Sequence, residues 1–259
     1  MPWAARRRLV ILIIIGAVAI AFFLIVLIST FYKTSSCTDG VQNQDEAGID
    51  CGGPCAYLCT EQMQAPTVLF TKALDNGSER TDVVAMVENK NTTAAAKNVP
   101  YRITLYGIGR VFLKTIDGTL DLFPNARTPV YVRGVASNQK VASAFLEIET
   151  SSPRWFTMTS DSRIVPMILN VTQSGATSTP RIEAALSNSS AATLSNIRVI
   201  ALVKNAQKDV IAASETIVPS IFAQGQSTAI FTWNNAFIEG PSSIEVVPMI
   251  PLPAQAGLP

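Results

Sequence analysis

Histidine is absent from all 259 residues. That absence removes Ser-His-Asp and Cys-His nucleophile systems, along with histidine-based zinc and iron centres. Charge is sparse, at 15% of residues, and nearly balanced between twenty basic and nineteen acidic side chains. Such a chain offers no basic face to nucleic acid. Cysteine is scarce: four residues, all between Cys37 and Cys59, so nothing downstream can carry an intersheet disulfide. No carboxylate pair stands out from ordinary surface charge, which leaves glycoside hydrolysis without an acid–base couple. Two motif look-alikes fail on context. Ser137-Asn138-Gln139-Lys140 spells the S-x-x-K of penicillin-recognising enzymes, but it precedes the strand-like run Val141 to Ile148 and has no S-D-N partner. Gly107-Ile108-Gly109 lacks the third glycine and following helix of a dinucleotide fingerprint, and reads as a turn. The chain is therefore expected not to be an enzyme.

What is present begins with Leu9 to Ile28, twenty residues without a polar side chain, preceded by Arg6, Arg7 and Arg8. At 1.5 Å per residue the run covers about 30 Å, the thickness of a bilayer hydrocarbon core. Lipid leaves backbone N–H and C=O groups without partners, so the run is expected to cross as one helix with its hydrogen bonds closed internally. The arginines place their end in the cytoplasm, and Trp3, Phe31 and Tyr32 fall where interfacial aromatics belong. A cleaved signal is the weaker reading, since signal cores span roughly seven to fifteen residues and end in a small-x-small site. Without the three arginines, seventeen basic residues face nineteen acidic ones, a nearly neutral exported part. Its surface, rich in Ser, Thr and Asn, suits another protein or a cell-envelope polymer as partner.

The cysteines occupy one short segment, at Cys37, Cys51, Cys55 and Cys59. An even count in an exported, core-poor segment points to two disulfides, with three connectivities open. Cross-links would offset the missing core by restricting the unfolded chain. Zinc is disfavoured by the compartment and by the intervals between cysteines. Calcium is the candidate cofactor, because Asp39, Asn43, Asp45, Glu46 and Asp50 supply hard oxygen ligands on a glycine-bearing loop. The spacing is not that of an EF-hand, and the alternative is that these acids are simply solvated.

The segment resembles a short cysteine motif of secreted and surface proteins, C-x-D-G-x-x-N-x-x-E-x-G-x-D-C-G-G-x-C-x-x-C. The residues that carry the resemblance are Cys37, Asp39, Gly40, Asn43, Glu46, Gly48, Asp50, Cys51, Gly52, Gly53, Cys55 and Cys59. The last interval, Ala56-Tyr57-Leu58, has three residues rather than two. The resemblance implies a small cross-linked spacer on an exported protein.

Beyond Thr60 the chain repeats itself at an offset of about one hundred residues. Pro66-Thr67-Val68-Leu69-Phe70 aligns with Pro166-Met167-Ile168-Leu169-Asn170, and the run from Asp82 aligns with the run from Arg181. Lys97 to Gly107 then aligns with Ser195 to Asn205, Leu122 to Val132 with Ile221 to Phe231, and Ala144 to Glu149 with Ser243 to Pro248. Each copy supplies six or seven short strands. Ile197, Val199, Ala201 and Val203 alternate with Arg198, Ile200 and Leu202, a strand with one strongly buried face and a second, partly covered one. Turn chemistry predicts breaks at Asp75-Asn76-Gly77, Asp117-Gly118 and Ala223-Gln224-Gly225. Short alternating strands with such turns read as antiparallel β-sandwiches, standing end to end.

At Asn89, Asn98-Val99 and Leu105-Tyr106, and again at Asn188, Asn196-Ile197 and Leu202-Val203, the copies resemble the FxLYD-like group of bacterial and archaeal surface β-sandwiches. The turns at Phe123-Pro124-Asn125 and at Phe222, Gln224 and Gly225 take that group's place before a later strand, although the second copy lacks its L-Y pair. This resemblance implies a fold and an exported setting, with no shared activity, and the surface-motif resemblance points to a bacterium.

The expected organisation is a basic N-terminus (1–8), a transmembrane helix (9–31), a cysteine-rich linker (32–62), two sandwiches (63–152 and 153–250) and a Pro-rich tail (251–259). Trp155-Phe156, just past the polar break before residue 153, is expected at an interdomain contact. Four N-x-S/T sequons stand at Asn76, Asn91, Asn170 and Asn188. The expected role is that of a single-pass surface protein, structural or adhesive. The alternative is an accessory subunit of a membrane assembly for secretion, pilus formation or transport.

Overall fold

The structure, a computed structural model, describes residues 3–31, 36–43, 45–76, 80–137, 140–149 and 153–253. It divides into two compact units, Met1–Cys55 and Ala56–Pro259.

In the first unit, helix α1 (Trp3–Phe31) runs for 29 residues, about 44 Å at 1.5 Å per residue. The apolar side chains point outward in every direction, with Leu12 67% and Phe22 68% exposed. An all-round apolar helix of this length suits the hydrocarbon core of a membrane, as an anchor or as a signal sequence. Ser29 turns its hydroxyl back onto the Val26 carbonyl at 3.0 Å, which lets a polar residue stay in the helix. Tyr32, one of the three expected interfacial aromatics, lies outside the described residues. The other described residues of this unit are Ser36 and those of the loop closed by the Cys37–Cys55 disulfide.

The described residues of the second unit are mainly β, with two 3₁₀ turns at Thr60–Gln62 and Ile108–Arg110, as the composition and turn spacing predict. The first copy contributes β2 (Thr67–Asp75), β3 (Arg80–Asn89), β4 (Ala94–Gly107), β5 (Phe112–Leu122), β6 (Ala126–Ser137) and β7 (Val141–Ile148). The second contributes β9 (Met167–Ser174), β10 (Arg181–Ser187), β11 (Leu194–Lys204), β12 (Val210–Ile221), β13 (Gln226–Thr232) and β14 (Ser243–Met249). Two short strands, β1 (Tyr57–Leu58) and β8 (Trp155–Thr157), complete the set. The topologies of the copies coincide: β2-β3-β6 faces β5-β4-β7, and β9-β10-β13 faces β12-β11-β14, all pairs antiparallel. The backbone repeats at the same offset, with left-handed residues at Asn98 and Asn196, Arg110 and Lys208, and Asn125 and Gln224.

Each copy fills its own core. Val83, Ala85, Val87, Ile103, Leu105 and Leu146 close the first, with Trp155 beside them. Ile182, Leu186, Val199, Ala201, Phe231 and Trp233 close the second. A third apolar layer joins the copies: Leu74, Val84, Met86 and Tyr131 from the β2-β3-β6 sheet meet Ile200, Leu202, Val210 and Ala213 from the β12-β11 side. Four sheets are thus stacked face to face with three apolar layers between them. This corrects the end-to-end arrangement. The continuous run Val83 to Val87 is buried on both faces because a sheet lies on each side of it. Two polar ties edge the seam, Lys72 to Asp209 at 3.2 Å and the Arg198 guanidinium to the Tyr131 carbonyl at 3.4 Å.

Other expectations need correction. Asp117-Gly118 is not a turn; β5 passes straight through it, paired with Arg102 and Tyr101. The glycine serves packing there, because a Cβ on Gly118 would lie 2.4 Å from the Tyr101 ring. The boundary at residue 153 also moves. Strand β8 pairs with Ala94–Ala96 of β4 and with β1, so chain on both sides of the first copy completes that copy's sheet. Trp155 fills the first core, whereas Phe156 packs with Ala95, Met158 and Leu252. Leu252, in the Pro-rich tail, is 2% exposed: the tail has no regular structure there, yet it is pinned. Ala56 to Gln62 belong to the β unit rather than to a separate linker.

Candidate functional site

The cysteine loop is held by side chains acting on backbone. All four cysteines are disulfide-bonded: Cys37 joins Cys55, and Cys51 and Cys59 are likewise in disulfide linkage. The Asp50 carboxylate accepts the N–H groups of Asp39 at 3.0 Å and Gly40 at 2.9 Å. Asp39 in turn accepts the Val41 N–H at 3.0 Å and the Asn43 side-chain amide at 2.8 Å. Glu46, only 5% exposed, accepts the Asn43 N–H at 3.3 Å. Its other oxygen lies 3.2 Å from Cys55 Sγ, a contact without a proton because the sulfur is oxidised. Gly53 is obligatory, since a Cβ there would sit 1.9 Å from the Asp45 carbonyl oxygen.

Of the five predicted calcium ligands, the structure links Asp39, Asn43, Glu46 and Asp50 in one network and leaves Asp45 exposed. Their carboxylates are aimed at N–H donors, and Asn43 Oδ1 is buried without a hydrogen bond. The grouping of Cys37, Glu46 and Cys55 within 4.8 Å offers no thiolates, because both cysteines are oxidised. In a segment that has no core, the acids act as acceptors that fix the loop's shape. Arg6, Arg7 and Arg8 are exposed at the start of α1, with the Arg7 guanidinium 4.9 Å from the centre of the Trp3 ring.

Sequence reasoning missed a fully buried carboxylate. Asp82 is 0% exposed, and its two oxygens accept the Tyr131 hydroxyl at 2.6 Å, the Asn76 amide at 2.6 Å and the Gly134 N–H at 2.7 Å. Arg80 supplies the countercharge at 3.2 Å. Burial, with the hydrogen bond to Asp82 next in importance, drives the Tyr131 hydroxyl well above its ordinary pKa. A phenol that donates to a buried carboxylate and is kept from ionising locks a core. The only signal in the sequence was the Asp at the head of an apolar run.

A cleft of about 330 Å³ lies between the copies, lined by Asn98, Tyr101 and Asp121 on one side and Asn196, Arg198 and Met249 on the other. Its charged groups are already engaged. Asp121 accepts the Asn98 N–H at 2.9 Å and the Leu252 N–H at 2.7 Å, and Arg198 is paired with Glu215. The cleft thus follows the seam between the copies.

Two asparagines of the repeat have the same task. Asn89 donates its side-chain amide to the carbonyls of Ala94 and Phe123, and Asn188 donates to those of Ala192, Ile221 and Phe222. The N-rich turns of the sequence are therefore clamps across the strand ends. Among the sequons, Asn188 and Asn76 are buried, Asn91 gives its amide to the Gln64 carbonyl at 2.8 Å, and Asn170 is exposed.

Comparison with protein-family models finds no match, and comparison with curated proteins finds none either. Among solved structures, the chain is similar to the crystal structure of red sea bream transglutaminase, at 12% identity over 68% of this chain and 28% of that one, with a TM-score of 0.22. It is also similar to a β-glucuronidase from glycoside hydrolase family 2, at 10% identity over 81% of this chain and 26% of that one, with a TM-score of 0.21. The chain spans little more than a quarter of either protein, and likenesses this low carry no argument about activity.

Proposed function

We propose that the chain is a non-catalytic, single-pass protein of the cell surface, anchored by α1 with its N-terminus in the cytoplasm, whose β unit binds a protein or a cell-envelope polymer. The reading rests on one observation above all: α1 is apolar on every side and exposed along its length, so a lipid environment is what its surface requires. The disulfide-bonded loop supports export, and the arginines before the helix support the orientation. Within this reading the β unit is an FxLYD-like, bacterial surface module, and any calcium would be structural, in the loop of Asp39, Asn43, Asp45, Glu46 and Asp50.

The test is direct. Mass spectrometry of the mature chain should find residues 3–31 retained, alkaline carbonate should leave the protein in the membrane pellet, and protease added to intact cells should digest the β unit. A mature chain starting after Phe31 would sink the anchor.

The accessory-subunit reading is favoured by the small residues Gly16, Ala17, Ala19 and Ala21, which permit close helix approach. Cross-linking from intact membranes separates the two readings. Polyleucine in place of residues 9–28 keeps surface partners if the helix only anchors, and loses membrane partners if it assembles.

A further inference from the structure

One end of the β5-β4-β7 sheet is apolar, aromatic and exposed. The hairpin between β4 and β5 carries Ile108 at 71%, Val111 at 61% and Phe112 at 58% exposure, and Phe145 on β7 is 55% exposed beside it. Tyr106 ties the aromatics together, its ring centre 6.4 Å from that of Phe112 and 5.9 Å from that of Phe145. The hairpin is shaped by two left-handed residues, Gly109 at φ 72° and Arg110 at φ 62°, which thrust Ile108 and Val111 outward. A patch of this kind on a β surface marks a contact.

The local charge identifies what is contacted. From Tyr106 to Ile116 and from Lys140 to Leu146 the chain contains Arg110, Lys114 and Lys140 and no acidic residue. All three cations are exposed. The nearest acids along the two outer strands, Asp117 on β5 and exposed Glu147 on β7, stand opposite Arg102, which binds Asp117 at 2.7 Å. An apolar tip with a basic rim is complementary to an anionic bilayer, in which aliphatic and aromatic groups enter the interface and cations meet phosphate. A stacked sugar fits poorly. The Tyr106 ring stands at 76° to that of Phe112 and at 74° to that of Phe145, so it shares no common plane with either on which a sugar could spread.

We infer that the β4–β5 hairpin, with Phe145, docks onto an anionic membrane surface. The inference relies on the anchored reading for access to a bilayer, and on the tip's own chemistry for the contact.

The full chain carries no free thiol, so Val111→Cys can be labelled there alone with an environment-sensitive nitrobenzoxadiazole. It is reconstituted into vesicles of phosphatidylcholine, with or without phosphatidylglycerol. In anionic vesicles the label should shift to the blue and be quenched several-fold by spin-labelled lipid. Both effects should be lost in high salt, because exposed charges are screened, and lost in Arg110→Gln/Lys114→Gln/Lys140→Gln, whose melting should match the parent's. Identical emission in the two vesicle types would overturn the inference. So would a blue shift that grows with protein density irrespective of lipid charge, which assigns the patch to a second copy. Carbonate extraction of the same vesicles keeps the two readings apart: protein that is stripped off fails the anchor, and protein that stays while the label reports water fails the tip.

Discussion

Leu202→Ala tests the seam between the copies. Leu202 is 0% exposed and sits in the apolar layer shared with Val84, Met86 and Tyr131 of the first copy. Truncating a buried leucine costs roughly 2–5 kcal/mol, the transfer term plus the cavity left behind. At about 3 kcal/mol, a unit of this size should melt about 6–12 °C lower. Two tryptophans make the assay specific, since Trp155 lies in the first core and Trp233 in the second. In a Trp3→Phe background, removing one or the other in turn leaves a fluorophore in a single copy, read by thermal denaturation of the full chain in detergent. Because the layer is common property, Leu202→Ala should lower both midpoints together. Ile217→Ala, at a site 61% exposed, should stay within about 0.5 kcal/mol of the parent. If the Trp155 midpoint does not move while the Trp233 midpoint falls, the copies unfold independently and the stacked arrangement is refuted.

Asp82→Ala strands the Tyr131 hydroxyl, the Gly134 N–H and the Arg80 charge, and should cost about 3 kcal/mol or more in chemical denaturation. Tyr131, with its folded pKa raised, contributes stability that is whole below about pH 10 and declines as pH rises further, so Tyr131→Phe should be the less alkali-sensitive protein. Asp161 is held below the usual carboxylate range, chiefly by its hydrogen bond from Arg163. Its contribution is present above about pH 3.9 and lost as pH falls through the lower folded value, so the melting gap between parent and Asp161→Asn should close in acid. Asn188→Ala takes a donor away from three strand-end carbonyls and should cost about 1–3 kcal/mol by urea titration, whereas Asn170→Ala should be neutral. Replacing Cys37 and Cys55 together by serine removes a cross-link of sequence separation 18, worth about 3 kcal/mol, and should open residues 36–55 to limited proteolysis.

Much of the fold is legible in the sequence because it depends on local periodicity. The apolar run from Leu9 to Ile28 can only be a helix in lipid, and strand-length alternation between turn formers announces antiparallel sheets. The repeat offset found in the letters recurs in the topology and in the left-handed asparagines at 98 and 196. Gly107-Ile108-Gly109 and Ala223-Gln224-Gly225 are turns, as their chemistry requires. Asp117-Gly118 misleads because a glycine has two uses. It permits a turn, or it yields space to a neighbour, and the neighbour here is Tyr101, remote in sequence.

By itself, then, the sequence determined the helix, the oxidised cysteine loop, the class of fold and the existence of two copies, all of them properties of spacing and composition. Tertiary structure alone decided which cysteine meets which, that the copies stack through Val84, Met86, Ile200 and Leu202, and that Asp82 lies at 0% exposure against Tyr131. It also gathered Tyr106, Phe112 and Phe145 at one end of a sheet. The physical reason is common to all four. Each depends on groups from strands or loop segments that are neighbours only after the chain has closed, and a period-two pattern states that a face is buried without stating what covers it.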